Sequence, residues 1–157
     1  MRSVWRIGSN KSMTLTSLSY GSTLEPGRWH RTPPDGLPVV YAGSSRALCQ
    51  LEKRVHCNGL QVRNQILFRL DLPDDGLLLD LRAIEVLPPN WRDDEPWTQN
   101  AGLEWRASGA SLGLWVPSAV EPEDSNLILN PDHAKFASIV LTVERDPFEF
   151  DTRMFGP

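Results

Sequence analysis

Arg6, Arg28, Arg31, Tyr41, Glu52, His56 and Ser118 are the side chains of this sequence whose types suit an anionic ligand that carries a flat ring. Guanidinium groups grip phosphate in a fork, a phenol offers a ring face, and one carboxylate can stabilise positive charge that develops during bond cleavage. Taken singly, each also has a plain structural role. Arg28 serves equally as half of an ion pair, Tyr41 as a core residue with a bonded hydroxyl, and Glu52 as a solvated helix position. The stretch GRWHRTPPDGLPVVYAG, from Gly27 to Gly43, gathers two of the arginines, a histidine and a tryptophan just ahead of Tyr41.

Other chemistries lack their residues. The chain has no phosphate-binding P-loop, GxGxxG fingerprint, GxSxG elbow or HExxH pair. His30, His56 and His133 have no ligand-like spacing with one another, so no metal is expected. Cys49 and Cys57, eight positions apart in one expected helix, stand about 12 Å apart along its axis. That is too far for a disulfide, and as helix cysteines they read as small core residues rather than as nucleophiles.

The elements that must position these groups follow from periodicity and turn chemistry. VWRIG (Val4 to Gly8) alternates as a short strand, with Arg6 on the face opposite Trp5 and Ile7. TPPDG is a turn, and LPVVYAG is a buried strand with Tyr41 near its carboxyl end. Ser44 or Ser45 caps a helix over Arg46 to Cys57, stopped by Asn58-Gly59. Leu48, Leu51 and Val55 mark its expected apolar stripe, with Glu52 at the edge and His56 one turn beyond. Two strands joined by a Pro-Asp-Asp turn are expected over 65–73 and 76–82. PPNWRDDEPW (Pro88 to Trp97) reads as a surface loop before a weak helix at 99–108, and further strands follow at 111–120, 126–131, 138–144 and 148–155.

With 157 residues, 40% hydrophobic and 23% charged, the chain is expected to form one globular domain spanning 1–157. A formal charge of −4 argues against nonspecific nucleic-acid binding. No apolar run approaches a membrane span and the first residues carry no signal-peptide core, so a cytoplasmic protein without membrane contact is expected. Basic charge is almost all arginine, with lysine only at Lys11, Lys53 and Lys135; arginine suits bidentate anion contact, but genomic base composition is the plainer account.

In order along the chain, WRI, GRWH, PVVYAGSS, ALCQLEKRVH, LWVPSAV, NLILNPDH and FEFDTRMF resemble the RES-domain family, which includes the toxins of RES–Xre toxin–antitoxin pairs. The resemblance runs from Trp5 to Phe155. It implies an α+β, ADP-ribosyltransferase-like fold in which two packed, mostly antiparallel sheets form an NAD+ cleft with flanking helices. It also implies growth inhibition through NAD+ consumption, NAD+ being the substrate, and a cognate Xre-like antitoxin as partner. ADP-ribose would pass to a cellular protein; cleavage by water or phosphate that merely depletes NAD+ is the alternative, and a noncatalytic nucleotide-binding module a further one. Arg28, Glu52 and Ser118 match the family's namesake positions, Arg6 the arginine of the first strand and Tyr41 the tyrosine of the second. Arg31 and His56 are looser correspondences, and Asn126 with Asn130-Pro131 matches a late motif expected to be structural.

These groups suit that chemistry. The nicotinamide of NAD+ is already cationic and leaves as a neutral pyridine, so the paired carboxylates of ordinary glycosidases are unnecessary. Glu52 would stabilise the sugar as it gains positive charge, an interaction that strengthens in the transition state. Arg6 and Arg28, with Arg31 as a third contact, would meet the pyrophosphate; Tyr41 would face the nicotinamide, and Ser118 would bond its amide or a ribose hydroxyl. His56 would orient Glu52 or activate an acceptor, or would simply end its helix.

Overall fold

Alternation along Arg2–Ser9 buries Val4 on one face and Ile7 on the other, as expected for a strand covered on both sides. A computed structural model describes Met1 to Pro157 and places this strand, β1, inside a seven-stranded sheet. The elements that follow are β2 (Val40–Gly43), α1 (Arg46–His56), β3 (Gln65–Leu72), β4 (Leu78–Asp80), α2 (Leu81–Ile84), α3 (Glu95–Ser108), β5 (Gly113–Pro117), β6 (Ser125–Leu129) and β7 (Val140–Phe148). The sheet order is β4-β5-β6-β2-β1-β3-β7, and every pairing except β4 with β5 is antiparallel.

The α+β class holds. The two sheets expected to pack against each other are here joined into one, but the join is narrow. β1 pairs with β3 over eight residues and with β2 only through Trp5 and Gly43. β1 and β2 therefore splay apart, and the sheet has two blocks with a seam between them. One face of both blocks shares a core built on Val4, Phe68, Leu70, Val40, Leu127 and Leu129. The opposite face carries two separate cores, one around Trp29, Trp105 and Leu114 and one around Ile7, Leu67 and Phe148.

Helix α1 lies on that second face. Ser45 caps it, its hydroxyl oxygen accepting from the Leu48 N–H at 3.0 Å, and the Arg46 guanidinium stacks on Trp5 while pairing with Glu144 of β7 at 2.8 Å. The expected apolar stripe is only partly correct. Leu48 and Cys49 are buried, but Leu51 and Val55 are 43% and 58% exposed. The helix approaches the sheet so closely that a Cβ at Gly43 would lie 2.7 Å from the Cys49 sulfur. That contact turns the Cys49–Glu52 side inward and leaves the bulkier residues outside. Both cysteines are buried free thiols, and burial pushes Cys49 up to about 12.

Four more expectations are corrected. The strands over 65–73 and 76–82 form no hairpin: β1 and β7 occupy both edges of β3, so β4 crosses to the far end of the sheet. The 88–97 stretch is no simple surface loop. Asp94 caps α3 by accepting from the Trp97 N–H at 3.1 Å, and Trp91 is buried with its ring 6.0 Å from that of Trp29. The last segment is a 3-10 turn at Thr152–Phe155, not a strand, because Phe150 and Phe155 stack edge-on beside Phe148. Tyr41, moreover, is the second residue of its strand rather than near its carboxyl end.

Helix α3 fixes the Gly27–His30 turn. Thr98 donates to the Arg28 carbonyl at 2.6 Å and Gln99 to the Gly27 carbonyl at 2.9 Å. The helix comes so near that a Cβ on Gly102 would sit 1.8 Å from the Trp29 carbonyl oxygen. Gly102→Ala should therefore destabilise the fold by roughly 1–3 kcal/mol, read as a lower urea midpoint with an unchanged m-value. An unchanged midpoint would contradict this packing.

Candidate active site at the seam

Glu52 leaves α1 toward the sheet and meets two elements that are remote in sequence. Ser118, just past β5, donates its hydroxyl to Oε1 at 2.6 Å, and the Asn126 amide of β6 donates to the same oxygen at 2.7 Å. Oε2 has no protein partner. Ser118 is fully buried, and its oxygen also accepts from the Val120 and Glu121 N–H groups, each at 3.1 Å. Glu52 and Ser118, both expected at the site, are thus brought together, but the Ser118 hydroxyl, expected to bond a ligand, here donates to the carboxylate. Asn126, expected to be structural, is a direct partner of the carboxylate.

Beside this cluster, at Ala119, opens a concavity of about 280 Å³ lined by Arg28, Arg92, Asp93 and Ala119. The volume falls just below the ~300–1,000 Å³ range of sites that engulf a drug-sized ligand, so this space suits one end of something larger. Arg28 donates to the Arg92 carbonyl at 2.9 Å and lies over Trp91, while Arg92 donates to the Ala119 carbonyl at 2.6 Å. Neither has a carboxylate partner; Arg46, Arg69, Arg82, Arg106 and Arg153 do, while the chain's other arginines, like these two, do not. Asp93 lines the space without pairing with either. Two guanidinium groups against one carboxylate leave this opening net positive on an acidic chain, which favours an anion. Arg92 escaped the sequence reading because its segment looked like loop; the Asp94 cap and Pro96 at a helix start were the available signal.

The remaining expected residues divide. Tyr41 points to the same face as Gly43, Asn126 and Glu52, and its hydroxyl lies 2.6 Å from the His30 Nδ1. Arg6 enters the seam itself, donating to the Tyr41 carbonyl at 2.9 Å and the Leu18 carbonyl at 3.3 Å, with Nε buried and unpartnered. Burial pulls this guanidinium below its ordinary value, and the position is that of a strut between splayed strands. Arg31 turns toward α3 and donates to Asn100 at 2.8 Å, away from Glu52. His56 is exposed and its Nδ1 lies 2.7 Å from the Glu52 carbonyl of its own helix, not from the carboxylate.

Comparison with known protein sequences identifies one family. The RES domain matches residues 3–151. Toxin Res of Yersinia enterocolitica is 33% identical over 154 residues, covering 96% of this chain and 98% of its own length. The Prs ADP-ribosylating toxin of a Sphingobium species is 37% identical over 139 residues, 83% of each chain. In the crystal structure of the M. tuberculosis MbcT–MbcA toxin–antitoxin complex, one chain shares this fold with a TM-score of 0.63 at 15% identity, over 98% of this chain and 86% of that one. The chain belongs to the RES-domain family, and its fold fits the ADP-ribosyltransferase-like class.

Burial pulls His30 below its ordinary 6.5. The folded protein therefore takes up this proton less readily than the unfolded chain, so its contribution to stability is complete above about pH 6.5 and shrinks as pH falls. The thermal midpoint should drop between pH 7.5 and 5, and less steeply in His30→Asn. Parallel curves for the two proteins would contradict it.

Proposed function

We propose that this RES-domain chain is the toxin of a toxin–antitoxin pair, that it cleaves the nicotinamide–ribose bond of NAD+, and that it passes ADP-ribose to a cellular protein. The observation that carries the reading is the Glu52 carboxylate, anchored through Oε1 and free at Oε2, beside a concavity with two unpaired arginines. The names of the Yersinia and Sphingobium relatives support it, as does the toxin–antitoxin complex that shares the fold.

On this reading the pyrophosphate lies against Arg28 and Arg92, whose forked donors suit its oxygens. The anchored carboxylate holds its free oxygen toward the ribose, where positive charge builds as the bond electrons move to the departing ring nitrogen. Because Ser118 and Asn126 hold Oε1 before any ligand arrives, little reorganisation is required as that charge appears. The acceptor then bonds the anomeric carbon and releases its own proton. An antitoxin that covers the cleft would silence all of these steps at once.

Glu52→Gln should bind NAD+ with little change yet lose turnover by at least about a hundredfold, a typical loss for an electrostatic group of this kind. Nicotinamide release at the parent rate would sink the assignment. Arg28→Ala should weaken NAD+ binding by roughly tenfold, the scale of one lost charged hydrogen bond; calorimetry showing unchanged affinity would contradict it. Incubation with labelled NAD+ and a cell lysate tests the acceptor. A labelled protein band supports transfer, whereas free nicotinamide with no band makes the protein an NAD+-depleting enzyme instead.

A further inference from the structure

His30 is 5% exposed, and none of the steps above uses it. Its Nε2 lies 3.0 Å from the Ser22 carbonyl and 3.1 Å from the Glu25 carbonyl. Carbonyl oxygens only accept, so Nε2 carries the proton. In the neutral ring Nδ1 is then an acceptor, and the group 2.6 Å from it is the Tyr41 hydroxyl. The phenol therefore donates to His30, while its oxygen receives the Trp29 N–H at 3.3 Å. Burial raises the phenol well above its ordinary value, which keeps that donated proton in place.

Space enforces the same arrangement. A Cβ on Gly27 would fall 2.8 Å from the Tyr41 hydroxyl oxygen and 3.0 Å from the His30 Nδ1, so only glycine lets the backbone pass here. The two rings tilt together with centroids 5.3 Å apart. Three segments meet on this pair: the Thr16–Thr23 turn through Ser22, the Gly27–His30 turn held by α3, and β2.

We infer that His30 is a positioning residue that fixes the ring of Tyr41 on the sheet face that carries Asn126 and Glu52, by accepting the hydrogen bond of its hydroxyl. The inference rests on the cleft being the NAD+ site, because a fixed ring matters there for holding nicotinamide in its reacting pose. A held hydroxyl leaves the ring one orientation, so the loss of the acceptor should appear in kcat more than in KM.

The chain has only two tyrosines, Tyr20 and Tyr41, so protein labelled with [13Cζ]tyrosine yields two signals, assigned with Tyr41→Phe. His30→Leu, which removes the acceptor, should shift the Tyr41 signal and leave that of exposed Tyr20 in place. His30→Asn, which keeps an acceptor near the Nδ1 position, should restore most of the shift. Nicotinamide release from NAD+ by the same proteins should show kcat lowered roughly ten- to a hundredfold in His30→Leu, the cost of a small misplacement. It should be partly rescued in His30→Asn and show no further loss when His30→Leu is added to Tyr41→Phe. An unmoved Tyr41 signal, or an equal kcat loss in both tyrosine backgrounds, would overturn the inference. If His30→Leu does not fold, His30→Gln replaces it, since its amide serves the carbonyls but places no acceptor at Nδ1. A moved Tyr41 signal in a parent protein that releases no nicotinamide would instead count against the NAD+ reading and leave the tyrosine clamp standing.

Discussion

Two hydrogen bonds onto one oxygen of Glu52 link three elements that the chain makes far apart: α1, the end of β5, and β6. Sixty-six residues separate Glu52 from Ser118 and 74 separate it from Asn126, so the site exists only once the sheet has closed in register. The pairing of Gly43 with Asn126, and of Val116 with Asn126, sets that register. A slip of one residue would carry the asparagine to the opposite face of the sheet and strip the carboxylate of a donor. The remainder of the architecture serves this alignment. Glu144 pins the start of α1 through Arg46 and Trp5, and Gly43 lets the helix settle against the strands.

The seam between β1 and β2 creates the other half of the site. Where a single registered pair joins the blocks, Arg6 bridges them, donating to the carbonyls of Tyr41 in β2 and Leu18 in the Thr16–Thr23 turn. That commits a guanidinium to the scaffold. The charge at the opening then falls to Arg28 and Arg92, which donate to carbonyls and pair with no carboxylate, Arg28 also lying over Trp91. Helix α3 acts at one remove, holding the turn from which Arg28 emerges.

Much of this was legible in residues alone. Strand periodicity locates β1, β3 and β6, a serine cap at Ser44 or Ser45 locates α1, and the shared motifs assign Glu52 and Ser118 to one site. What escaped followed from tertiary demands that override local pattern. The α1 stripe misled because a helix that must carry a carboxylate inward cannot also bury Leu51 and Val55. Arg92 and Trp91 were hidden by proline and acidic neighbours that suggest loop, although those same residues cap a helix. Arg31 sits three positions from Arg28 in a chain reversal, so adjacency in sequence sends the two side chains to different sides of the turn. The partnership of His30 with Tyr41 has no sequence signature at all; it arises from the glycine that lets their rings meet.

Ser118 shows how little freedom a well-placed hydroxyl retains. Both lone pairs of its oxygen are occupied by the N–H groups of Val120 and Glu121, which leaves its one proton a single direction, toward Glu52. With that proton committed, the serine is placed to hold the carboxylate and has none left to donate elsewhere. It serves as a one-way gauge of the carboxylate's place: threonine could keep that polarity, whereas alanine would leave two backbone N–H groups and a glutamate oxygen each short of a partner.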